Sequence, residues 1–202
     1  MPPMRADVLG VVLAGGASRR MGRDKAKLAL DGGTLVERAA TLLATVCSNS
    51  VLAVGSDRRY PTVRLPVAED RYPGAGPLAG IEAALVASIG RPVLVLACDL
   101  PRVDRTVLER LLEHAQAALE ADGPRAWLPR RGGRLQPLCG LYAAACGPLF
   151  TRRLDRGERA VQAALTEVEV EPVGFDDLRP DPFLNVNTPA DYSRAGGLAA
   201  VG

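Results

Sequence analysis

The chain has 202 residues, of which 48% are hydrophobic and 4% aromatic, and it carries a formal net charge of +2. This length and composition predict one domain over residues 1–202 with a core from about 8 to 192. The small net charge and few aromatic side chains argue against nucleic-acid binding. The N-terminus lacks a signal-peptide apolar region, and no apolar run has the length of a membrane span, so we expect a cytoplasmic protein without a membrane partner.

The four cysteines are scattered along the chain and form no Cys-x-x-Cys pair, which is typical of a reducing compartment. With a single histidine in the chain, a zinc site is not expected. Cys47 is predicted in a helix and Cys98 in a strand, both as small core residues.

Strands and helices are predicted to alternate along the chain. Thr34 and Glu37 have the spacing of a capping box, Pro66 predicts an irregular or edge strand, and Gly132-Gly133 predicts a tight turn. The expected strands are 8–14, 27–30, 51–54, 63–68, 92–98, 125–129, 136–143 and 167–173, and the expected helices are 34–47, 77–89, 104–120, 145–155, 158–165 and one from 189. This order favours an α/β fold: a three-layer, Rossmann-like, mostly parallel sheet with helices on both faces.

Residues 13–25, LAGGASRRMGRDK, follow the first strand and are the most informative stretch. Gly15 and Gly16 allow a tight turn and close approach of a ligand to the backbone. The cations of this stretch are Arg19, Arg20, Arg23 and Lys25, offset only by Asp24. Such a loop suits the phosphates of a nucleotide, although a glycine turn followed by a solvated basic loop is the alternative. Neither the Walker A pattern nor GxGxxG is present here.

Polar residues follow several of the predicted strands, where the ligands of parallel sheets gather. Glu69 and Asp70 follow the strand at 63–68. Asp99 comes directly after the apolar strand at 92–98, and a carboxylate at that position suits Mg²⁺. A turn or capping aspartate is the alternative for Asp99, but Asp104 is already placed to cap the next helix.

Two further segments place polar or small residues at the start of a helix. Gly76-Pro77-Leu78-Ala79-Gly80 exposes backbone N–H groups that suit a base or phosphate, or else serves close packing. Asn185-Val186-Asn187-Thr188-Pro189 offers two amides for a ligand, or else two capping asparagines.

The string Gly-Gly-x-Ser-Arg-Arg-Met-Gly-x-Asp-Lys resembles the N-terminal signature of nucleotidyltransferases, in the form that looks like molybdenum cofactor guanylyltransferases. Molybdopterin cytidylyltransferases usually read Leu-Ala-Ala-Gly where this chain has Leu13-Ala14-Gly15-Gly16, and sugar-nucleotide pyrophosphorylases usually carry Gly-x-Gly-Thr-Arg. The Asp-x-Pro, Gly-Pro-Leu-Ala-Gly and Asn-x-Asn-Thr-Pro segments extend the resemblance over residues 8 to about 192.

The resemblance implies a Mg²⁺-dependent enzyme that transfers GMP from GTP to molybdenum-carrying molybdopterin and releases pyrophosphate. Its implied catalytic residues are Arg19, Lys25 and Asp99, with Asp99 as the metal ligand. The implied nucleotide site comprises Leu13, Ala14, Gly15, Gly16, Ser18, Lys25, Asp70, Gly76, Pro77, Leu78, Gly80 and Asp99. The implied acceptor site comprises Arg134, Gln136, Asn185 and Asn187.

The sequence departs from this pattern at two positions. Gln136 stands where some members carry histidine, and the Val54-Gly55-Ser56 region lacks the asparagine that some members place against the nucleotide. The alternatives are a molybdopterin cytidylyltransferase, a sugar-phosphate nucleotidyltransferase, or a non-catalytic module that delivers the pterin cofactor to apoenzymes. Molybdoenzymes or cofactor-delivery proteins are the candidate partners. His114 is expected on the helix surface, outside the site.

Overall fold

The computed structural model describes residues 5–14, 24–54, 60–116 and 123–196. The strands are β1 (Arg5–Leu13), β2 (Ala29–Leu30), β3 (Gly33–Thr34), β4 (Cys47–Ala53), β5 (Val93–Ala97), β6 (Arg125–Arg131), β7 (Arg134–Leu135), β8 (Cys139–Tyr142) and β9 (Glu169–Gly174). The α-helices are α1 (Leu35–Leu43), α2 (Pro77–Ala87), α3 (Arg105–Gln116), α4 (Cys146–Asp155), α5 (Val161–Ala164) and α6 (Pro189–Arg194). Two short 3-10 helices span Lys25–Lys27 and Leu165–Glu167.

The main sheet has seven strands in the order β4-β1-β5-β8-β6-β7, with β9 beside β6. β1 lies parallel to both β4 and β5, whereas β8 is antiparallel to β5 and β6. Leu13 pairs with Ala53 on one side and Ala97 on the other, so the segments after these three strands leave the sheet at the same edge. That edge is where ligands of such sheets bind.

Helices cover both faces of this sheet. On one face, Gly80 of α2 packs so close to the sheet that a Cβ there would lie 3.0 Å from Leu13 Cδ2 and 3.4 Å from Ala53 Cβ. On the opposite face, α1 and Leu96 line a common groove. The α/β, Rossmann-like architecture with helices on both faces is therefore confirmed, and β7 and β8 supply its antiparallel part.

Local signals in the sequence account for several element boundaries. Thr34 and Glu37 form the expected capping box at the start of α1. Gly132 and Gly133 both have positive φ, and they turn the chain between β6 and β7. The stretch around Pro66 is irregular as expected, with one parallel bridge from Val67 to the edge strand β4.

The helical assignment of Cys47 is wrong. α1 ends at Leu43, and Cys47 opens β4, where it pairs with Arg5 of β1. All four cysteines are buried, as expected of core residues. Loss of hydration raises the pKa of the Cys47, Cys139 and Cys146 thiols to about 12, and it also raises the pKa of Cys98. Among the residues that the structure describes, no helix has the length and hydropathy needed to span a bilayer.

Candidate active site

The candidate site is centred on the ammonium group of Lys25. Its Nζ atom lies 2.7 Å from Oδ2 of Asp99 and 2.8 Å from Oδ1 of Asn187. The side chains of Lys25 and Asp99 are only 20% and 15% exposed, so water screens this pair less than a surface ion pair. Three residues predicted for the site, from three distant parts of the chain, are thus brought together.

Lys25 is held at the start of a short 3-10 helix. Asp24 caps this helix, because its carboxylate accepts a hydrogen bond of 3.1 Å from the backbone N–H of Ala26. Lys27, in the same turn, is exposed and directs its charge to solvent. The two lysines therefore differ in setting although they share one helical turn.

Asp99 is placed by the end of β5. The backbone N–H of Cys98 donates to the carbonyl of Leu13, and the chain then turns out of the sheet. Asp104 caps α3, since its carboxylate accepts a hydrogen bond of 3.1 Å from the N–H of Val107. Asp99 is therefore not needed as the cap of that helix, and a role in the turn after β5 is the alternative that stays open.

The Asn185–Asn187 segment is tied to Asp99 through the main chain, by a 2.8 Å hydrogen bond from the N–H of Val186 to the Asp99 carbonyl. Behind it, Thr188 and Asp191 form a capping box at the start of α6. Asp191 also accepts a 3.1 Å hydrogen bond from the N–H of Asn187. Hydrogen bonds from Thr188 and then Arg194 lower the pKa of Asp191 to about 2.

Two side-chain oxygen atoms of these segments are buried and accept no hydrogen bond from any described residue. They are Oδ1 of Asp99 and Oδ1 of Asn185. A buried carboxylate oxygen without a partner is costly, and such atoms in native proteins call for a specific explanation. Carboxylate and amide oxygens are the ligand types that Mg²⁺ takes in proteins, so the residues present fit a divalent cation.

The residues predicted for the nucleotide fall into two structural groups. Gly76 and Pro77 are exposed at the start of α2, where Gly76 has a φ of +80° and no side chain caps the first N–H groups. Leu78 is fully buried, and Gly80 faces Leu13 across the helix–sheet contact. The backbone around Gly76 is therefore the part of the Gly76–Gly80 segment that a ligand can contact.

Asp70 lies in a turn ahead of α2, with its Oδ1 accepting a 2.8 Å hydrogen bond from the N–H of Tyr72. The next residue, Arg71, pairs with Glu82 of α2, a fully buried carboxylate. Thr151 of α4 donates to the same oxygen of Glu82 at 2.7 Å. This network around the buried Glu82 carboxylate, which the sequence analysis missed, links the turn of Asp70 to two helices.

Two of the acceptor-side residues, Arg134 and Gln136, lie in or beside the antiparallel part of the sheet. The N–H of Ala97, at the end of β5, donates to the carbonyl of Leu138 at 2.8 Å. Gln136 therefore lies near the carboxyl end of β5, and its N–H donates to the Pro129 carbonyl. Arg134 lies further out, exposed on β7. His114 is exposed on α3, as expected.

Tyr60 is a second residue that the sequence analysis missed. It is buried, and its hydroxyl oxygen lies 2.9 Å from the Ala14 carbonyl and 2.9 Å from Oδ2 of Asp24. No periodic pattern surrounds it in the sequence, so composition and spacing gave no signal. Gly15, Gly16, Ser18 and Arg19 of the predicted site, and Gly55 and Ser56, lie outside the described residues.

Residues 10–170 match the family model described as a MobA-like NTP transferase domain. A probable molybdenum cofactor guanylyltransferase of Carboxydothermus hydrogenoformans is 35% identical, over 91% of this chain and 92% of its own. The molybdenum cofactor guanylyltransferase of Acidiphilium cryptum is 36% identical, over 96% of both chains.

Solved structures give the same result for the fold. The molybdopterin-guanine dinucleotide biosynthesis protein A of Archaeoglobus fulgidus superimposes with a TM-score of 0.78 at 29% identity, covering 93% of this chain and 96% of that one. The 2-C-methyl-D-erythritol 4-phosphate cytidylyltransferase of Thermus thermophilus shares the fold at a TM-score of 0.67 and 20% identity, covering 92% of this chain and 95% of that one.

Proposed function

This chain belongs to the MobA-like NTP transferase family, and we propose that it transfers GMP from GTP to molybdenum-carrying molybdopterin, releasing pyrophosphate. The observation that carries the proposal is the contact of Lys25 with Asp99 and Asn187 at the carboxyl edge of the sheet. The names of the two relatives, each matched over nine-tenths of this chain or more, support guanine as the base.

The reaction needs positioning and charge neutralisation more than proton transfer. A terminal phosphate oxygen of the pterin forms a bond to the α-phosphorus of GTP, while the bond from that phosphorus to the bridging oxygen of pyrophosphate breaks. Because the attacking oxygen is already anionic, no strong general base is required. Lys25, largely buried and hydrogen-bonded to Asp99 and Asn187, is suited to grip the triphosphate.

Mg²⁺ is the proposed cofactor, held by Asp99 with Asn185 beside it. The support is the pair of buried oxygens, Oδ1 of Asp99 and Oδ1 of Asn185, that accept no hydrogen bond from described residues. When bound, a divalent cation neutralises phosphate charge. Because Lys25 contacts the other oxygen of Asp99, the same carboxylate would orient both a bound cation and the ammonium group.

The remaining predicted residues take supporting roles in the proposal. Leu13, Ala14, Asp70 and the backbone at Gly76 surround the nucleotide, with Gly15, Gly16, Ser18 and Arg19 on its phosphates. Arg134, Gln136 and Asn187 face the acceptor. Leu78 and Gly80 pack α2 against the sheet and so position the backbone at Gly76.

The test is product formation from purified protein, Mg²⁺ and molybdenum-carrying molybdopterin with GTP, CTP or ATP supplied separately. We expect pyrophosphate and a guanine dinucleotide product with GTP, at a rate at least about tenfold above CTP or ATP, a difference of about 1.4 kcal/mol. Preference for CTP would assign a cytidylyltransferase instead. Binding of the pterin without pyrophosphate release from any nucleotide would assign a non-catalytic binding module.

A further inference from the structure

The hydroxyl group of Tyr60 joins two parts of the chain that border the candidate site. It lies 2.9 Å from the carbonyl oxygen of Ala14, just beyond β1, and 3.0 Å and 2.9 Å from the two carboxylate oxygens of Asp24. The residue is 5% exposed, and it lines an apolar groove with Leu52 and Val63. Packing in that groove accounts for the ring but not for the choice of tyrosine over phenylalanine.

The partner of the hydroxyl matters because Asp24 caps the turn that carries Lys25. Besides its contact with Tyr60, the carboxylate accepts the N–H of Ala26, and the Asp24 carbonyl accepts the N–H of Lys27 at 3.2 Å. A 3-10 helix of three residues makes too few internal hydrogen bonds to hold its own orientation. The turn is therefore held from outside, by burial of Ala26 and by its Asp24 cap, and the Tyr60 hydroxyl contacts that cap.

We propose that Tyr60 is a positioning residue that acts through Asp24 to hold Lys25 against Asp99. The lysine side chain is long and flexible, so its ammonium group reaches a fixed point only if the backbone below it is fixed. Ala14 adds the second anchor, because its N–H donates to the Ala53 carbonyl at 3.0 Å and so ties the hydroxyl to the sheet. The chain of contacts runs from β4 through Ala14, Tyr60 and Asp24 to Lys25.

This inference rests on the proposed function for its kinetic consequence, but its structural part is independent of activity. Tyr60→Phe keeps the ring in the groove and removes only the hydroxyl. We expect its crystal structure to show the Lys25 Nζ to Asp99 Oδ2 contact, 2.7 Å in the native protein, broken or lengthened beyond hydrogen-bond range. An unchanged contact would overturn the proposal, whatever the protein catalyses.

The kinetic part is a double-mutant cycle on guanylyl transfer. We expect Tyr60→Phe to lower kcat about tenfold, as small misplacements of catalytic groups do, with a smaller change in KM for GTP. In the Lys25→Ala background the same substitution is expected to change kcat by less than about twofold, because its effect runs through Lys25. Additive losses would overturn the proposal and return Tyr60 to a general packing role.

The matched control is Ser88→Ala. The Ser88 hydroxyl is also buried and hydrogen-bonded, to the carbonyls of Leu85 at 2.8 Å and Arg91 at 2.7 Å, at the C-terminal end of α2 and away from the Lys25 turn. We expect native kcat in this variant. If the control lost kcat to the same extent as Tyr60→Phe, the loss would be a general effect of removing a buried hydroxyl, and the proposal would be wrong. Absence of transfer in the native protein would overturn the proposed function and leave the crystallographic test standing.

Discussion

Oδ2 of Asp99 contacts the Lys25 ammonium group at 2.7 Å, while Oδ1 of the same carboxylate is buried without a hydrogen-bond donor among the described residues. One oxygen is therefore compensated and the other is not. A carboxylate in that state attracts a further cation or a polarised donor. Oδ1 of Asp99 is therefore the atom at which we expect a cation, and Lys25 and Asp99 are expected to differ in the effect of their substitution.

Removal of the Lys25 ammonium group is expected to abolish most catalysis without unfolding the protein. We predict that Lys25→Ala lowers turnover by about 10²–10³, the usual loss when one preorganised donor to a transition state is removed. Lys27→Ala is the matched control, since Lys27 shares the turn but is exposed, and it should retain native turnover. Equal losses in both variants would show a general charge effect of this turn.

The capping box of α6 makes stability depend on pH in acid. The pKa of Asp191 is about 2 in the folded chain, below the value of about 3.9 for an unperturbed aspartate. The carboxylate therefore stabilises the fold above about pH 4, and this contribution is lost as pH falls towards 2. Urea unfolding of the native protein and Asp191→Asn should show a constant difference in unfolding free energy from pH 5 to 7 that shrinks between pH 4 and 2. A difference in unfolding free energy that does not change with pH would contradict the lowered pKa of Asp191.

Arg71 and Glu82 are expected to depend on each other. Glu82 is fully buried, so Arg71→Met leaves its carboxylate with Thr151 as its remaining partner. Because the Arg71 side chain is itself 46% exposed, we predict a loss of about 1–2 kcal/mol in unfolding free energy for Arg71→Met, most of it recovered in the double variant Arg71→Met, Glu82→Leu. Chemical denaturation of the four proteins of this cycle gives the coupling. Additive losses would show that the two side chains contribute separately.

Ile89 is expected to be a site where stability can be gained. It has a φ of +52°, which is unfavourable for a β-branched residue, and it is 89% exposed, so its side chain buries little. We predict that Ile89→Asn raises the unfolding free energy by about 1 kcal/mol. Val86→Asn, also exposed but helical, should give no gain. Thermal and urea unfolding of both variants measure this difference.

Local sequence patterns predict the features that depend on residues adjacent in the chain. Asp99 was found because it ends a buried apolar strand, and the Thr34–Glu37 capping box because its spacing is fixed. Cys47 was misplaced because the apolar helical pattern continues past Leu43, whereas pairing of β4 with β1 takes Cys47 into the sheet. Tertiary pairing outweighed local propensity there.

The contacts that the sequence did not predict are long-range. Lys25 and Asp99 are 74 positions apart, and the Asn187 contact spans 162. Each residue was proposed for its own local reasons, but their direct contact depends on strand order. Tyr60 lies in a stretch with no ligand-binding pattern, and Glu82 follows the Gly76–Gly80 segment without being part of it. The packed structure shows which carboxylate or cation each one meets.

The most direct measurement is a Mg²⁺ titration of guanylyl transfer for the native protein and Asp99→Asn. The amide keeps the size of the side chain but removes the charge that would attract the cation, and Mg²⁺ gives up its waters reluctantly. We predict near-complete loss of transfer in Asp99→Asn, partial recovery at high Mg²⁺, and a change in unfolding free energy without ligand of less than about 1 kcal/mol. Superimposable titration curves for the two proteins would contradict a metal role for Asp99 and with it the proposed arrangement of the site.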